Sequence, residues 1–167
     1  GVIYPFLGQE HVYDRDQPEM HGVLKRMRAL SNQWPDGFLV GETLDERFEY
    51  KKAGHYVGPS KLHMAFDFKL LHSSWGANQF RSAIERTING LPPNAWPAWV
   101  LSNHDFSRHA SRWGGRHSDE RAKLLALMVC TLKGTPFFYY GEELGLKDTH
   151  LRRREIQDPP GRRFWPF

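Results

Sequence analysis

The sequence predicts an α/β fold built on a parallel sheet. Three observations carry this: short apolar runs alternate with helical stripes, the runs are continuous rather than alternating in polarity, and their carboxyl ends present acids, amides or histidine. Residues 1–15 mix Gly, Pro and polar groups without a period and read as loop. Asp16 and Glu19 have capping-box spacing, Pro18 suits a first turn, and Met20, Val23, Leu24, Met27 and Leu30 recur at helical intervals, which predicts a helix over about 17–33. Pro35-Asp36-Gly37 turns the chain into Phe38-Leu39-Val40-Gly41, a run of the buried parallel type that ends on Glu42. Residues 43–60 read as a long polar loop with room for a helical turn, and Leu62 to Phe66 as a second strand with Asp67 at its end. Phe80, Ala83, Ile84, Thr87 and Ile88 form a stripe stopped by Asn89-Gly90, and Ala98 to Ser102 is a third strand ending on Asn103-His104-Asp105. Ser118 is placed to cap a helix carrying Leu124, Leu125, Leu127, Met128 and Leu132, Gly134 terminates it, and Pro136 to Tyr140 makes a fourth strand ending on Gly141-Glu142-Glu143.

Strand and helix in alternation imply right-handed βα units, and polar strand ends gathered at one rim fit a barrel better than a doubly wound sheet. Four strands do not close an eight-stranded barrel, so the expectation is the C-terminal half of a (β/α)8 TIM barrel, with the missing strands preceding Gly1. Residues 1–167 then read as one partial barrel domain without internal repeat or linker. Two open sheet edges and an uncovered interior predict that the isolated chain aggregates, dimerises or is partly ordered.

Composition narrows the function only broadly. The 167 residues are 40% apolar and 25% charged, ordinary for a soluble domain, and no apolar run approaches a membrane span, so no membrane partner is expected. An aromatic share of 14% serves either a packed core or a sugar-stacking cleft. The net charge of +4 is dispersed apart from Arg152-Arg153-Arg154 and Arg162-Arg163, which read as surface or cleft rim, so no nucleic-acid partner is expected. Cys130 excludes an intrachain disulfide and reads as a small core residue. No secretory pattern follows Gly1, which favours a cytoplasmic address, while the lack of an initiator Met fits a start further upstream. The nine His lack zinc-type spacing, and phosphate-loop, serine-elbow and dinucleotide fingerprints are absent, so neither metal nor cofactor is expected.

Glu42, closing an apolar strand, is the first candidate for an acid/base. Partial desolvation at a barrel mouth would raise its pKa toward proton donation, and a strand-end ion pair with Lys or Arg is the competing reading. In Asn103-His104-Asp105, His and Asp can bind sugar hydroxyls, or the triplet can be a hydrogen-bonded loop cap. Glycoside hydrolysis needs two carboxyl groups across a cleft, and Glu42 with Asp105 is one candidate pair. Asp67 and Glu142-Glu143 are rivals at the same rim, read rather as structural or as partners of Arg108 or another cation.

The motifs themselves then become recognisable. Phe38-Leu39-Val40-Gly41-Glu42-Thr43 resembles the fifth-strand motif of the α-amylase family of glycoside hydrolases, in which the Glu is the general acid/base. Trp99-Val100-Leu101-Ser102-Asn103-His104-Asp105 resembles the seventh-strand motif, in which the His binds substrate and the Asp stabilises the transition state, with Arg108 following as in many relatives. Met64 to Phe68 resembles the sixth strand and Gly134 to Glu143 the eighth with its loop. Asp16-Gln17-Pro18-Glu19, Gln157-Asp158-Pro159-Pro160-Gly161 and Phe164-Trp165-Pro166 resemble the α-glucosidase and oligo-1,6-glucosidase branch. The resemblance implies retaining cleavage of α-linked gluco-oligosaccharides, with Glu42 as acid/base, Asp105 as transition-state stabiliser and Asn103, His104 and Arg108 contacting substrate. It also implies that the N-terminal half of the barrel, with its Arg-x-Asp nucleophile motif, and a C-terminal β domain are absent here. Arg15-Asp16 has the wrong spacing to substitute, so this chain alone is expected to be inactive or nearly so. A glucosyl transferase or isomerase of the same family, a non-catalytic carbohydrate-binding relative and a salt-sensitive nucleic-acid binder are the alternatives.

Overall fold

The computed structural model describes residues 13, 16–43 and 51–164. Its elements are α1 (Glu19–Ser31), β1 (Val40–Gly41), α2 (Lys51–Tyr56), β2 (Met64–Asp67), α3 (Ala77–Gly90), β3 (Ala98–Val100), α4 (His109–Arg112), α5 (Ser118–Thr131), β4 (Thr135–Phe137) and α6 (Pro159–Phe164), with single 3-10 turns at Gly115–His117, Glu142–Leu144 and Arg153–Glu155. The strands form one sheet in the order β1-β2-β3-β4. β1 runs parallel to β2 with Val40 opposite Met64, and β2 parallel to β3 with Asp67 opposite Trp99. This is the parallel α/β architecture that the sequence pattern predicts. Two compact units are present, Gly1–Val100 with Leu132–Pro136, and Leu101–Thr131 with Phe137–Phe167.

In the first unit the central strands are buried as expected for a parallel sheet covered on both faces: all of β3 and all but Phe66 of β2 are removed from solvent. Trp99 is 1% exposed, and its indole N–H is satisfied by the Lys133 carbonyl at 3.1 Å. Gly134, with φ +144°, passes that indole so closely that a Cβ would lie 2.4 Å from Nε1. The loop before β4 therefore requires glycine there.

The sheet's β1 end departs from expectation. Phe38 and Val40 are exposed rather than buried, because β1 is two residues long, stands at one end of the strand order and has only β2 beside it among the described residues. α1 also runs shorter than predicted. It begins without a side-chain cap, and Asp16 sits instead at φ +52° with Oδ1 accepting the Tyr56 hydroxyl at 2.5 Å, which replaces the expected capping box. Of its apolar stripe only Leu24 is buried, in a cluster with Val57, Leu62 and Ala65, while Met20, Val23, Met27 and Leu30 stay exposed. α1 is held through Arg28 as well, whose Nη1 donates to the Lys61 carbonyl at 2.7 Å. α2 supplies the helical turn expected within 43–60, and the loop reading of residues 1–15 lies almost wholly outside the described residues.

An imidazole joins β1 to β2. The Leu39 amide donates to His63 Nδ1 at 2.9 Å, and the ring stacks on Phe38 with centroids 4.6 Å apart. Acceptance at Nδ1 requires the neutral ring. Burial, and secondarily the Arg28 cation, hold the His63 pKa below its ordinary value. The unfolded chain therefore binds this proton first as pH falls, so the stability His63 contributes is present above the ordinary histidine range and declines as pH drops from there through the folded value. Hydrogen exchange, corrected for intrinsic rate, should show the Leu39 amide losing protection on acidification below about pH 6.5. His63→Phe should abolish that pH dependence.

In the second unit α5 buries Ala122, Leu125 and Val129, spaced by three and four residues. Leu124, Leu127 and Cys130 fall on other sides of the turn and are exposed, so Cys130 is not the core residue that its apolar neighbours predict. Ser118 does not cap α5. It is itself helical and buried, and its hydroxyl donates to the Ala110 carbonyl at 3.0 Å. β4 stops at Phe137, three residues short of the predicted Tyr140, because the Glu142 carboxylate and amide both bond the Tyr139 backbone and turn the chain there. Gly141 follows at φ +86°.

Candidate functional site

Glu42 stands directly after β1 in the first unit and is exposed, so the desolvation expected at a strand mouth is not supplied by the described residues. It also forms no ion pair among them. The physical reason is the shortness of β1 and the exposure of Phe38 and Val40 beside it. Asp67, at the end of β2, resolves as structural: Oδ2 pairs with Lys69 Nζ at 2.5 Å, Oδ1 accepts the Lys69 amide at 2.9 Å, and the two side chains are 8% and 2% exposed. Burial pulls the Lys69 pKa below its ordinary value, against the opposing pull of the Asp67 carboxylate.

The remaining candidates share one loop of the second unit, residues 103–108. Asn103 Oδ1 accepts the amides of Asp105 at 2.9 Å and Phe106 at 3.1 Å, an Asx-type turn that presents the intervening side chains. His104 Nε2 and Asp105 Oδ2 lie 3.5 Å apart with 70% and 63% of their side chains exposed, available to hydroxyl groups of a ligand. Arg108 closes the loop. Its amide donates to Asp148 Oδ1 at 2.9 Å and its Nη1 to the Tyr140 carbonyl at 2.8 Å, while the guanidinium lies 4.8 and 5.0 Å from the centroids of the Tyr139 and Tyr140 rings. No carboxylate of Glu142 or Glu143 takes it as partner. A hydrogen bond to Tyr140, followed by burial, raises the Tyr139 pKa, and the Arg108 charge opposes this.

Beneath the loop is a buried polar layer. The Glu142 carboxylate accepts from the Ser102 hydroxyl, from His109 Nδ1 at 3.1 Å and from the Tyr139 amide at 3.0 Å. The His109 and Glu142 side chains are 2% and 1% exposed. Arg112 donates through Nη2 to the Leu101 carbonyl and through Nη1 to the Ser107 carbonyl. Burial lowers the Arg112 pKa, opposed by the Glu142 and Asp148 carboxylates. The arrangement offers an exposed acid and imidazole for polar ligands, with a buried, mutually bonded polar layer beneath.

The catalytic-domain model of α-amylase matches residues 6–162. The chain belongs to the α-amylase family. It is 39% identical over 168 residues to a probable alpha-glucosidase of Rhizobium meliloti, covering 99% of this chain and 30% of that one. An oligo-1,6-glucosidase of Heyndrickxia coagulans is 30% identical over 87% of this chain and 29% of its own length. Among solved structures, the alpha-glucosyl transfer enzyme XgtA superposes with a TM-score of 0.85 at 33% identity, covering 97% of this chain and 30% of that one. An isomaltulose synthase from Erwinia rhapontici NX5 gives 0.63 at 26% identity over 81% and 27%. This α-amylase-family chain thus spans about 30% of the length of these relatives. Its parallel α/β fold is that of their barrel, as the strand motifs predict.

Sequence reasoning for this α-amylase-family member did not single out Ser102, His109 or Arg112, and it placed Glu142 at the rim rather than beneath it. Ser102, the one polar residue closing an otherwise apolar run, was the available signal. Among the described residues no group of three or more His, Cys, Asp or Glu is placed to hold a metal ion, and no helix is long and apolar enough to cross a membrane.

Proposed function

We propose that the chain supplies the acid/base side of a retaining α-glucosidic site for short α-linked gluco-oligosaccharides. In this reading its strands are the fifth to eighth of an eight-stranded barrel, and the nucleophile is an Asp outside residues 1–167. Glu42 protonates the departing glycosidic oxygen while that Asp bonds the anomeric carbon, and Glu42 then takes a proton from the water that releases the sugar. Direct attack sets the two carboxyl groups about 5 Å apart. Asp105 faces the positive charge developing at the anomeric carbon, and Asn103, His104 and Arg108 bind ring hydroxyls. The observation that carries this reading is the exposed His104–Asp105 pair, 3.5 Å apart on a turn fixed by Asn103. Neither nucleic acid nor membrane has a part in it.

The test is the anomer released first. With maltose or isomaltose and the full-length protein, proton NMR should show α-glucose before mutarotation, and initial β-glucose would overturn the retaining assignment. Transfer is the second reading, favoured by the likeness to an alpha-glucosyl transfer enzyme. An added sugar acceptor would then collect the glucosyl group at the expense of free glucose.

A further inference from the structure

Residues 103–108 carry every candidate ligand contact of the second unit, and the same two side chains grip both ends of that segment. Glu142 Oε1 receives Ser102 on the entering side and His109 on the leaving side, the latter at 3.1 Å. Arg112 repeats the pattern, binding the carbonyls of Leu101 and Ser107. The His109 amide adds a third closure by donating to Ser102 Oγ at 3.3 Å. We propose that Glu142 and Arg112 are positioning residues that close the base of the 103–108 loop and so set where Asn103, His104 and Asp105 meet the substrate. The functional half of this rests on the reading of those three residues given above.

Ser102, His109 and Glu142 are the residue types of a nucleophilic triad, but their geometry is not one. The serine hydroxyl donates to the carboxylate itself, the imidazole turns Nδ1 toward both partners, and all three are buried. With Nδ1–H directed at Glu142, Nε2 has no hydrogen-bond partner among the described residues, so the imidazole acts toward the carboxylate. Two fixed ends and an internal Asx turn leave the loop few alternative conformations. Removing either grip should move the side chains above it without touching them.

The test uses the full-length protein and the variants Glu142→Gln and Arg112→Lys, with Glu85→Gln as an exposed carboxylate change in the other unit. Gln presents one acceptor oxygen where Glu presents two, and Lys cannot fork to two carbonyls. Exchange of the Asp105 and Phe106 amides should quicken about 10-fold or more in both loop variants, while the Val129 amide keeps its wild-type rate, as it should in Glu85→Gln. The kcat/KM on an α-glucoside should fall roughly 10- to 100-fold, mostly in kcat, as expected for misplacing a group that acts in the transition state. Unchanged exchange at Asp105 and Phe106 overturns the clamp. Quickened exchange with kcat/KM no lower than in Glu85→Gln overturns its positioning role. A wild-type protein without α-glucoside turnover overturns the functional reading, and the exchange comparison then decides the clamp alone.

Discussion

Glu42→Gln is expected to lower the kcat of the full-length enzyme on an unactivated disaccharide by roughly 10²- to 10⁴-fold, the range that a positioned general acid contributes. The effect should depend on the leaving group. A disaccharide's departing alkoxide needs a proton, whereas p-nitrophenolate does not, so glucosylation by an aryl α-glucoside should persist and release of the sugar should become limiting. Azide needs no deprotonation to attack and should restore turnover, giving the α-glucosyl azide. Amide replaces carboxylate with little change in volume, and Glu42 is exposed, so unfolding does not account for the loss. Turnover within a few-fold of wild type, or no response to azide, would remove Glu42 from the acid/base role.

The largest stability effect is expected at Asp67. Asp67→Asn keeps an acceptor for the Lys69 amide but removes the counter-charge from an ammonium whose side chain is 2% exposed. Removing one partner of a buried pair typically costs about 3–5 kcal/mol. Lys69→Met added to Asp67→Asn should recover most of that loss, since apolar replacement of a buried pair is often neutral. Asp67→Leu combined with Lys69→Met should recover less, because it also removes the oxygen that accepts the residue-69 amide, a loss of about 1–3 kcal/mol. Urea unfolding of the series checks the order. If Asp67→Asn unfolds within about 0.5 kcal/mol of wild type, the pair is not structural. The sign of its pH dependence follows from Lys69. Burial depresses the folded pKa, so between that value and the ordinary lysine value the unfolded chain holds more protons, and wild-type stability should rise with pH relative to the Asn/Met variant.

The fold was legible wherever burial was complete. Ala98-Trp99-Val100 and Met64-Ala65-Phe66 read as continuous apolar strands and are central strands of the sheet. Phe38-Leu39-Val40-Gly41 reads the same way, yet only two of its residues pair and two are exposed, because a continuous run does not reveal how many neighbours a strand has. Helix ends failed where capping spacing had no capping geometry: Asp16 is held by Tyr56, forty residues away, and Ser118 by Ala110. Neither partner lies within the four-residue window that a capping pattern reads. The candidate site was read as residue types at strand ends. What closes its loop was not, since the partners of Glu142 are set by the approach of Ser102 and His109, residues separated from it by 40 and 33 positions.

Arg108 gives the loop a thermodynamic character of its own. Its guanidinium lies over the Tyr139 and Tyr140 rings and donates to the Tyr140 carbonyl, contacts that restrict its rotamers. Immobilising such a side chain on association ordinarily costs about 0.5–1.5 kcal/mol. A ligand that meets Arg108 loses only its own motion there, so its recognition at this end of the loop is governed by geometric match rather than by adaptation.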